Sequence, residues 1–527
     1  MTGPVTGLGT LLRSFVRRDR WMVLWFTLGV TVLYWSQAVS VDGLYTTQAE
    51  FDRAAASMEG NAAFIAMTGP ARALNTTGGQ VTWQSTAFGA ILVALMTMFL
   101  VGRHTRAEEE SGRDELIRSG VVGRQAPMTA ALALSAGATA LVGAGVTGSL
   151  VAYGLPTAGA VSLGLGLWLC GLAFAGIALL AAQLTSSTRA MYGITGATIG
   201  IAYGLRAIGD VGSGALSWLS PIGWYQSMHA YSGERWWPAL LLVVAAATAS
   251  GAAYAVFTRR DVGSGIWPAR PGPDRAPVGL RSTFGLAWRL QRGSLIGWAV
   301  GLFVGGIAYG SIGDDVKSLL GDSDFANDIF GAGGPDLVDS FYGTAALMLA
   351  LIATGFTISS ALRPRGEEND GRVESVLATA LPRSRWLESH LVITLAGTVG
   401  VVVLSGLGLG FGFALATGDT SKIGPYTWAT TSLLPAVLLL AGLALLLYGA
   451  LPRAASLAWL GLLFCVTVMM FGEVLQFPDW VKDVSPFEHL ALVPAFSVDW
   501  TSAALVLAIA AALGAAGQLA FLRRDVH

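Results

Sequence analysis

The sequence predicts an all-α polytopic membrane protein with twelve transmembrane helices. These form two parallel six-helix repeats related by a pseudo-twofold axis along the membrane normal. Three observations carry this prediction. Of 527 residues, 53% are apolar and only 12% charged, too little polar surface for a water-soluble chain of this size. Apolar stretches of the roughly 20 residues needed to cross the hydrocarbon core recur along the chain. The chain also repeats itself. Glu108-Glu109-Glu110-Ser111-Gly112-Arg113-Asp114-Glu115 returns 259 positions later as Glu367-Glu368-Asn369-Asp370-Gly371-Arg372-Val373-Glu374. Ser220-Pro221 answers to Ser485-Pro486, and Arg259-Arg260-Asp261-Val262 to Arg523-Arg524-Asp525-Val526.

The first half provides spans at 21–41, 81–102, 128–154, 161–184, 191–208 and 237–257. The second provides 294–312, 342–361, 391–417, 428–451, 457–475 and 502–522. Six is an even number, so both halves enter the membrane in the same sense and the repeats are parallel. The first stretch follows Arg17, Arg18 and Arg20, and residues 38–40 resemble a signal-peptide cleavage site. Its counterpart at 294–312 lies mid-chain with the same basic lead-in, so both read as spans. The chain divides into a first half (1–262), a cytoplasmic linker with the helix leading into the membrane (263–292), and a second half (293–527). Pro268, Pro271, Pro273 and Pro277 mark the linker.

Orientation follows from the positive-inside rule. With the N-terminus inside, 25 of the 32 Arg and Lys residues fall on cytoplasmic segments and 7 outside. The expected location is therefore the cell membrane, multi-pass, with both termini cytoplasmic. Outside, Gln48–Met58 and residues 315–330 mix apolar and charged character and predict short interfacial helices. Trp218, Trp224, Trp236 and Trp237 read as an aromatic belt. Cys170 and Cys465, the only cysteines, lie in apolar segments of different halves and read as small apolar filler, not a disulfide framework.

The twin acidic loops each follow the second span of their half. Each carries a Gly-Arg step, a Glu two residues past that Arg, and a basic exit at Arg124 or at Arg383 and Arg385. Residues 113–118 and 372–377 suit a helical turn or two. A rigid charged helix parallel to the membrane can dock in a groove of a soluble partner. The alternative is a solvated loop whose Glu and Arg side chains pair among themselves. Repetition at matching positions in diverged halves favours docking.

Residues 106–116 (Arg-x-Glu-Glu-Glu-x-Gly-Arg-x-Glu-Leu) resemble the permeases of type-2 ABC exporters. More narrowly, the chain is similar to the double-length, twelve-helix polyketide-antibiotic and multidrug exporters of actinobacteria. Residues 218–224 and 233–238 fit that family too, and the resemblance covers essentially the whole chain. It implies that the loop after the second helix of each half is a coupling helix contacting an ATPase. The positions that match are Glu108, Glu109, Gly112, Arg113 and Glu115, and Glu367, Glu368, Gly371, Arg372 and Glu374. The second copy departs at Asn369, Val373 and Ser375.

A phosphate-binding Gly-x-x-x-x-Gly-Lys-Ser/Thr loop is absent: Lys317, Lys422 and Lys482 are the only lysines and none follows a glycine. The chain itself is thus expected to hold no cofactor, ATP and Mg being bound by a partner. Two docking loops imply two copies of an ABC-type ATPase subunit. The lipid bilayer and a lipophilic small molecule complete the expected partners, without nucleic acid.

Ionisable groups at membrane depth are few. Arg206 and Asp210 at the fifth span and Glu473 at the eleventh predict an outer gate or cavity rim, with local pairing of Arg206 to Asp210 as the alternative. Gly196, Gly200 and Gly204 form a row on the fifth span that permits close helix approach, either within its half or along a seam. The span centres lack the carboxylate or His of a proton-coupled secondary transporter, which remains the alternative function together with a membrane sensor or structural protein. Neither a His-Glu-x-x-His motif nor a buried Ser–Lys pair points to catalysis, so the chain reads as a permease subunit and not an enzyme.

Overall fold

The computed structural model describes residues 3–44, 47–58, 62–261, 265–267, 274–312, 337–471 and 477–525. Among these the chain is helical without strands, and it divides into two compact units, 1–271 and 272–527.

In the first unit, α1 (Leu8–Leu44) leads to α2 (Gln48–Met58) and α3 (Ala62–Thr68). α4 (Thr77–His104), the short α5 (Arg106–Glu110) and α6 (Arg113–Arg118), α7 (Ala126–Tyr153) and α8 (Thr157–Leu184) follow. α9 (Thr188–Val211), α10 (Pro221–Gln226) and α11 (Pro238–Phe257) complete the unit. α2 has the bounds the sequence predicts, whereas residues 315–330 lie outside the described residues. α8 is the central post, packed against α4, α7, α9 and α11. It can be central because small residues let backbones meet: a Cβ at Gly164 would collide with the Gly143 carbonyl of α7. Ser220 caps α10 by accepting from the Ile222 and Gly223 amides, while its hydroxyl donates to the Ala202 carbonyl at 2.6 Å.

The second unit begins with α12 (Thr283–Gly310) and α13 (Leu337–Ala361). The short α14 (Arg363–Asn369) and α15 (Arg372–Leu377) precede α16 (Arg383–Thr417). Then come α17 (Ile423–Thr431), α18 (Leu434–Ala450), α19 (Ala458–Phe471), α20 (Asp479–Lys482) and α21 (Trp500–Arg523). Glycines again mediate the tightest crossings: Gly306 and Gly310 of α12 abut the α16 backbone, and Gly449 of α18 abuts Gly517 of α21.

Eleven helices of the described residues are long and apolar enough to cross a membrane, against twelve expected. The expected fifth span lies within α9, which has 24 residues but is diluted by glycine, threonine and tyrosine and by Arg206. α1 and α12 begin well before the apolar stretches at 21 and 294. Their arginine-bearing segments before those stretches, with Arg13 to Arg20 and Arg289 to Arg292, continue the helix, since long basic side chains extend to the polar side while their stems pack.

Candidate functional site: twin elbows at the ends of α4 and α13

Each half carries a helix–glycine–helix elbow beyond its second span. Gly112 and Gly371 sit at matching positions with φ of 73° and 69°. This left-handed conformation favours glycine and lets α6 and α15 break away from α5 and α14. A Cβ at either glycine would meet nothing within 4 Å, so backbone conformation, not space, requires the residue.

The leading carboxylates turn inward. Glu108 is buried and pairs with Arg18 of α1, with Arg113 4.0 Å away. Glu109 accepts both prongs of the Arg260 guanidinium, at 2.6 and 3.1 Å, and a third bond from Arg106 at 2.9 Å. Arg260 also donates from Nε to Gln183 of α8 at 2.9 Å. In the second half, Glu367 is buried between Arg363 at 2.8 Å and Arg372 at 2.6 Å. Glu368 accepts both prongs of Arg524 at 2.6 Å each, and the Tyr448 hydroxyl at 2.8 Å.

Two of the three sequence repeats therefore meet in space. The second Glu of each acidic loop is gripped by the second Arg of each Arg-Arg-Asp-Val segment, just past the last helix of its half. The basic exit closes the arrangement. Arg124 donates to the Arg260 carbonyl at 2.9 Å, and Arg383, 259 positions on, donates to the Arg524 carbonyl at 3.0 Å. Arg260 and Arg524 are positions of the candidate site that the sequence reading left unassigned. Their recurrence at nearly the offset of the acidic loop is the signal that could have found them.

The outer faces of the elbows are alike. Arg113 and Glu115 on α6, and Arg372 and Glu374 on α15, are exposed, as is Leu116. Hydrogen bonding to Glu367 holds the Arg372 guanidinium above its ordinary pKa. The departure at Val373 falls on an inward position: Val373 is buried against Trp386, Tyr448 and Phe521, and its counterpart Asp114 is buried as well. Glu110 caps α9 by accepting from the Thr188 amide at 3.0 Å, while its counterpart Asn369 is exposed.

Arg206 is fully buried. It donates to the Met67 carbonyl at 3.0 Å, lies 3.6 Å from Asp210 and sits over the Tyr203 ring. Asp210 in turn accepts from the Ser217 hydroxyl at 2.6 Å. Glu473 lies outside the described residues. A Cβ at Gly196, Gly200 or Gly204 would meet nothing within 4 Å, so the glycine row of α9 is open. Both cysteines are buried and free, and among the described residues no group of three or more His, Cys, Asp or Glu could hold a metal ion.

A chain that is all-α among its described residues, with eleven helices there long and apolar enough to cross a membrane, is a polytopic membrane protein, and its relatives give its class. Residues 280–522 match the family model described as the C-terminal domain of the multidrug efflux system permease Rv1217c. The chain is 39% identical over 529 aligned residues to the multidrug efflux system permease protein Rv1217c of Mycobacterium tuberculosis (strain ATCC 25618 / H37Rv), covering 99% of this chain and 96% of that protein. The chain belongs to this family of multidrug efflux permeases.

Proposed function

We propose that the chain is the permease of an ATP-driven exporter and moves lipophilic compounds, drugs and antibiotics among them, out of the cell. It sits in the cell membrane with both termini cytoplasmic. Two copies of an ABC-type ATPase dock on the outer faces of α6 and α15, through Arg113, Glu115, Arg372 and Glu374. Glu108, Glu109, Glu367 and Glu368 make the elbows rigid instead of touching the partner. ATP and Mg stay with the partner, so this chain carries no cofactor.

The observation that carries this reading is the pair of elbows, each exposing the same Arg-x-Glu while its leading carboxylates are locked inward. A load applied to α6 passes through Glu109 to Arg260, at the foot of α11. A load on α15 passes through Glu368 to Arg524, at the foot of α21. Such contiguous, well-packed connections can convert closure of two ATPases into rocking of one half against the other. The halves move as the pseudo-twofold repeats the sequence implies, and Arg206 and Asp210 belong to the polar rim at the exit.

The test is co-purification with the cognate ATPase. Glu115→Arg/Glu374→Arg should leave folding intact, lose the partner and abolish drug-stimulated ATP turnover. Undiminished stimulated turnover in this double variant removes the docking assignment.

A further inference from the structure

An apolar groove of about 270 Å³ runs between α12 and α16, lined by Trp288, Ile296, Ala299, Ile393, Gly400 and Leu404 among others. From Trp288 to Ala299 it follows α12 for roughly 16 Å at the helical rise, about the depth of one leaflet's hydrocarbon. Arg289 and Arg292 stand on α12 one and four residues after Trp288, beside the groove's first turn. Both are exposed, and among the described residues neither makes an ion pair or a side-chain hydrogen bond. Arg292 is four residues from both Trp288 and Ile296, so it shares the groove-lining face of the helix.

The first helix of the other half carries the same pattern 272 positions earlier. Arg17 and Arg20 head an exposed stripe of Leu24, Leu28 and Val32, matching Arg289, Arg292, Ile296, Val300 and Val304. A pair of cations one turn apart, beside an apolar groove that continues roughly 10 Å along α12 from Arg292 to Ala299, suits a phosphate with an acyl chain running beyond it. Neutral lipid would fill the channel but leave both cations uncompensated.

We infer that the α12–α16 groove seats one acyl chain of an anionic glycerophospholipid, whose phosphate is held by Arg289 and Arg292. The inference is independent of what the permease transports. Gly400 supplies a clean probe, because a Cβ there meets nothing within 4 Å and a larger side chain would fill the channel without displacing backbone.

The experiment is to purify the full chain in mild detergent from an equimolar mixture of phosphatidylglycerol and phosphatidylcholine, and to measure retained lipid by mass spectrometry. Two arginines near a headgroup predict phosphatidylglycerol enrichment on the order of tenfold. Arg289→Gln/Arg292→Gln should abolish the enrichment, and Gly400→Leu should reduce it with both arginines intact. Soluble glycerol phosphate should leave the melting temperature unchanged. Equal retention of the two lipids by the unmodified chain, unaltered enrichment in both variants, or stabilisation by glycerol phosphate alone would each overturn the inference.

Discussion

Glu109 and Arg260, 151 residues apart, form a two-pronged ion pair at 2.6 and 3.1 Å, and Glu368 and Arg524 repeat it in the second half at 2.6 Å on both prongs. The Arg260 side chain is only 2% exposed and that of Glu109 8%. Removing Arg260 leaves the desolvated Glu109 with Arg106 as its remaining cation, at 2.9 Å. Arg260→Ala should therefore cost about 2–3 kcal/mol, less than stranding the carboxylate outright, read as a loss of thermal stability in detergent. Glu109→Ala/Arg260→Ala should cost clearly less than the two single substitutions added together, because the double variant leaves no stranded charge from this pair.

The same substitution in the second half should be milder on the ground of burial. Arg524 is 17% exposed against 2% for Arg260, while each carboxylate keeps one other partner, Tyr448 for Glu368 and Arg106 for Glu109. A ranking of Arg260→Ala below Arg524→Ala in melting temperature is expected. The reverse order would mean that exposure does not govern the strength of the two pairs.

At the elbows, Gly112→Ala and Gly371→Ala should each cost about 1–2 kcal/mol from the left-handed backbone alone, since space is open at both positions. Hydrogen exchange should locate the loss in 105–119 or 363–379, with the spans unaffected. Protection lost uniformly across the half would refute a purely local origin.

His229 titrates against its surroundings. Burial, then the charges of Arg72 and Arg235, lower its pKa from the ordinary 6.5 to about 4. The folded chain resists a proton that the unfolded chain accepts at 6.5. This group's stability contribution is therefore fully present above pH 6.5 and is lost as pH falls from there towards 4. His229→Asn should flatten that part of the stability–pH curve, and Asn tolerates the positive φ of 52° found there.

Much of the fold is legible because apolar length is a strong signal in a bilayer. The predicted short helices α2, α6 and α15 also have their expected bounds, since a glycine step or loop fixes where each begins. What periodicity cannot supply is the direction a side chain takes in a five- or six-residue helix. Glu108 and Glu109 look as exposed in the sequence as Glu115, and only the presence of Arg18 and Arg260 turns them inward. The ninth helix, read in the sequence as the fifth span at 191–208, forms at Thr188–Val211 but falls short of a span's apolarity. Its glycines and Arg206 lower its apolarity, although Arg206 bonds the Met67 carbonyl and lies 3.6 Å from Asp210. The residues 315–330 and Glu473 lie outside the described residues.

Both native cysteines are buried, so a thiol placed on an elbow is a distinctive probe. The most direct measurement is labelling of Glu115→Cys and Glu374→Cys by a membrane-impermeant thiol reagent, in right-side-out and inside-out vesicles, with and without the cognate ATPase. Labelling confined to inside-out vesicles and blocked at both positions by the ATPase is the predicted result. Labelling from the outer side, or labelling from the inner side that the ATPase leaves unchanged, would contradict the assignment of α6 and α15 as the paired handles of an ATP-driven pump.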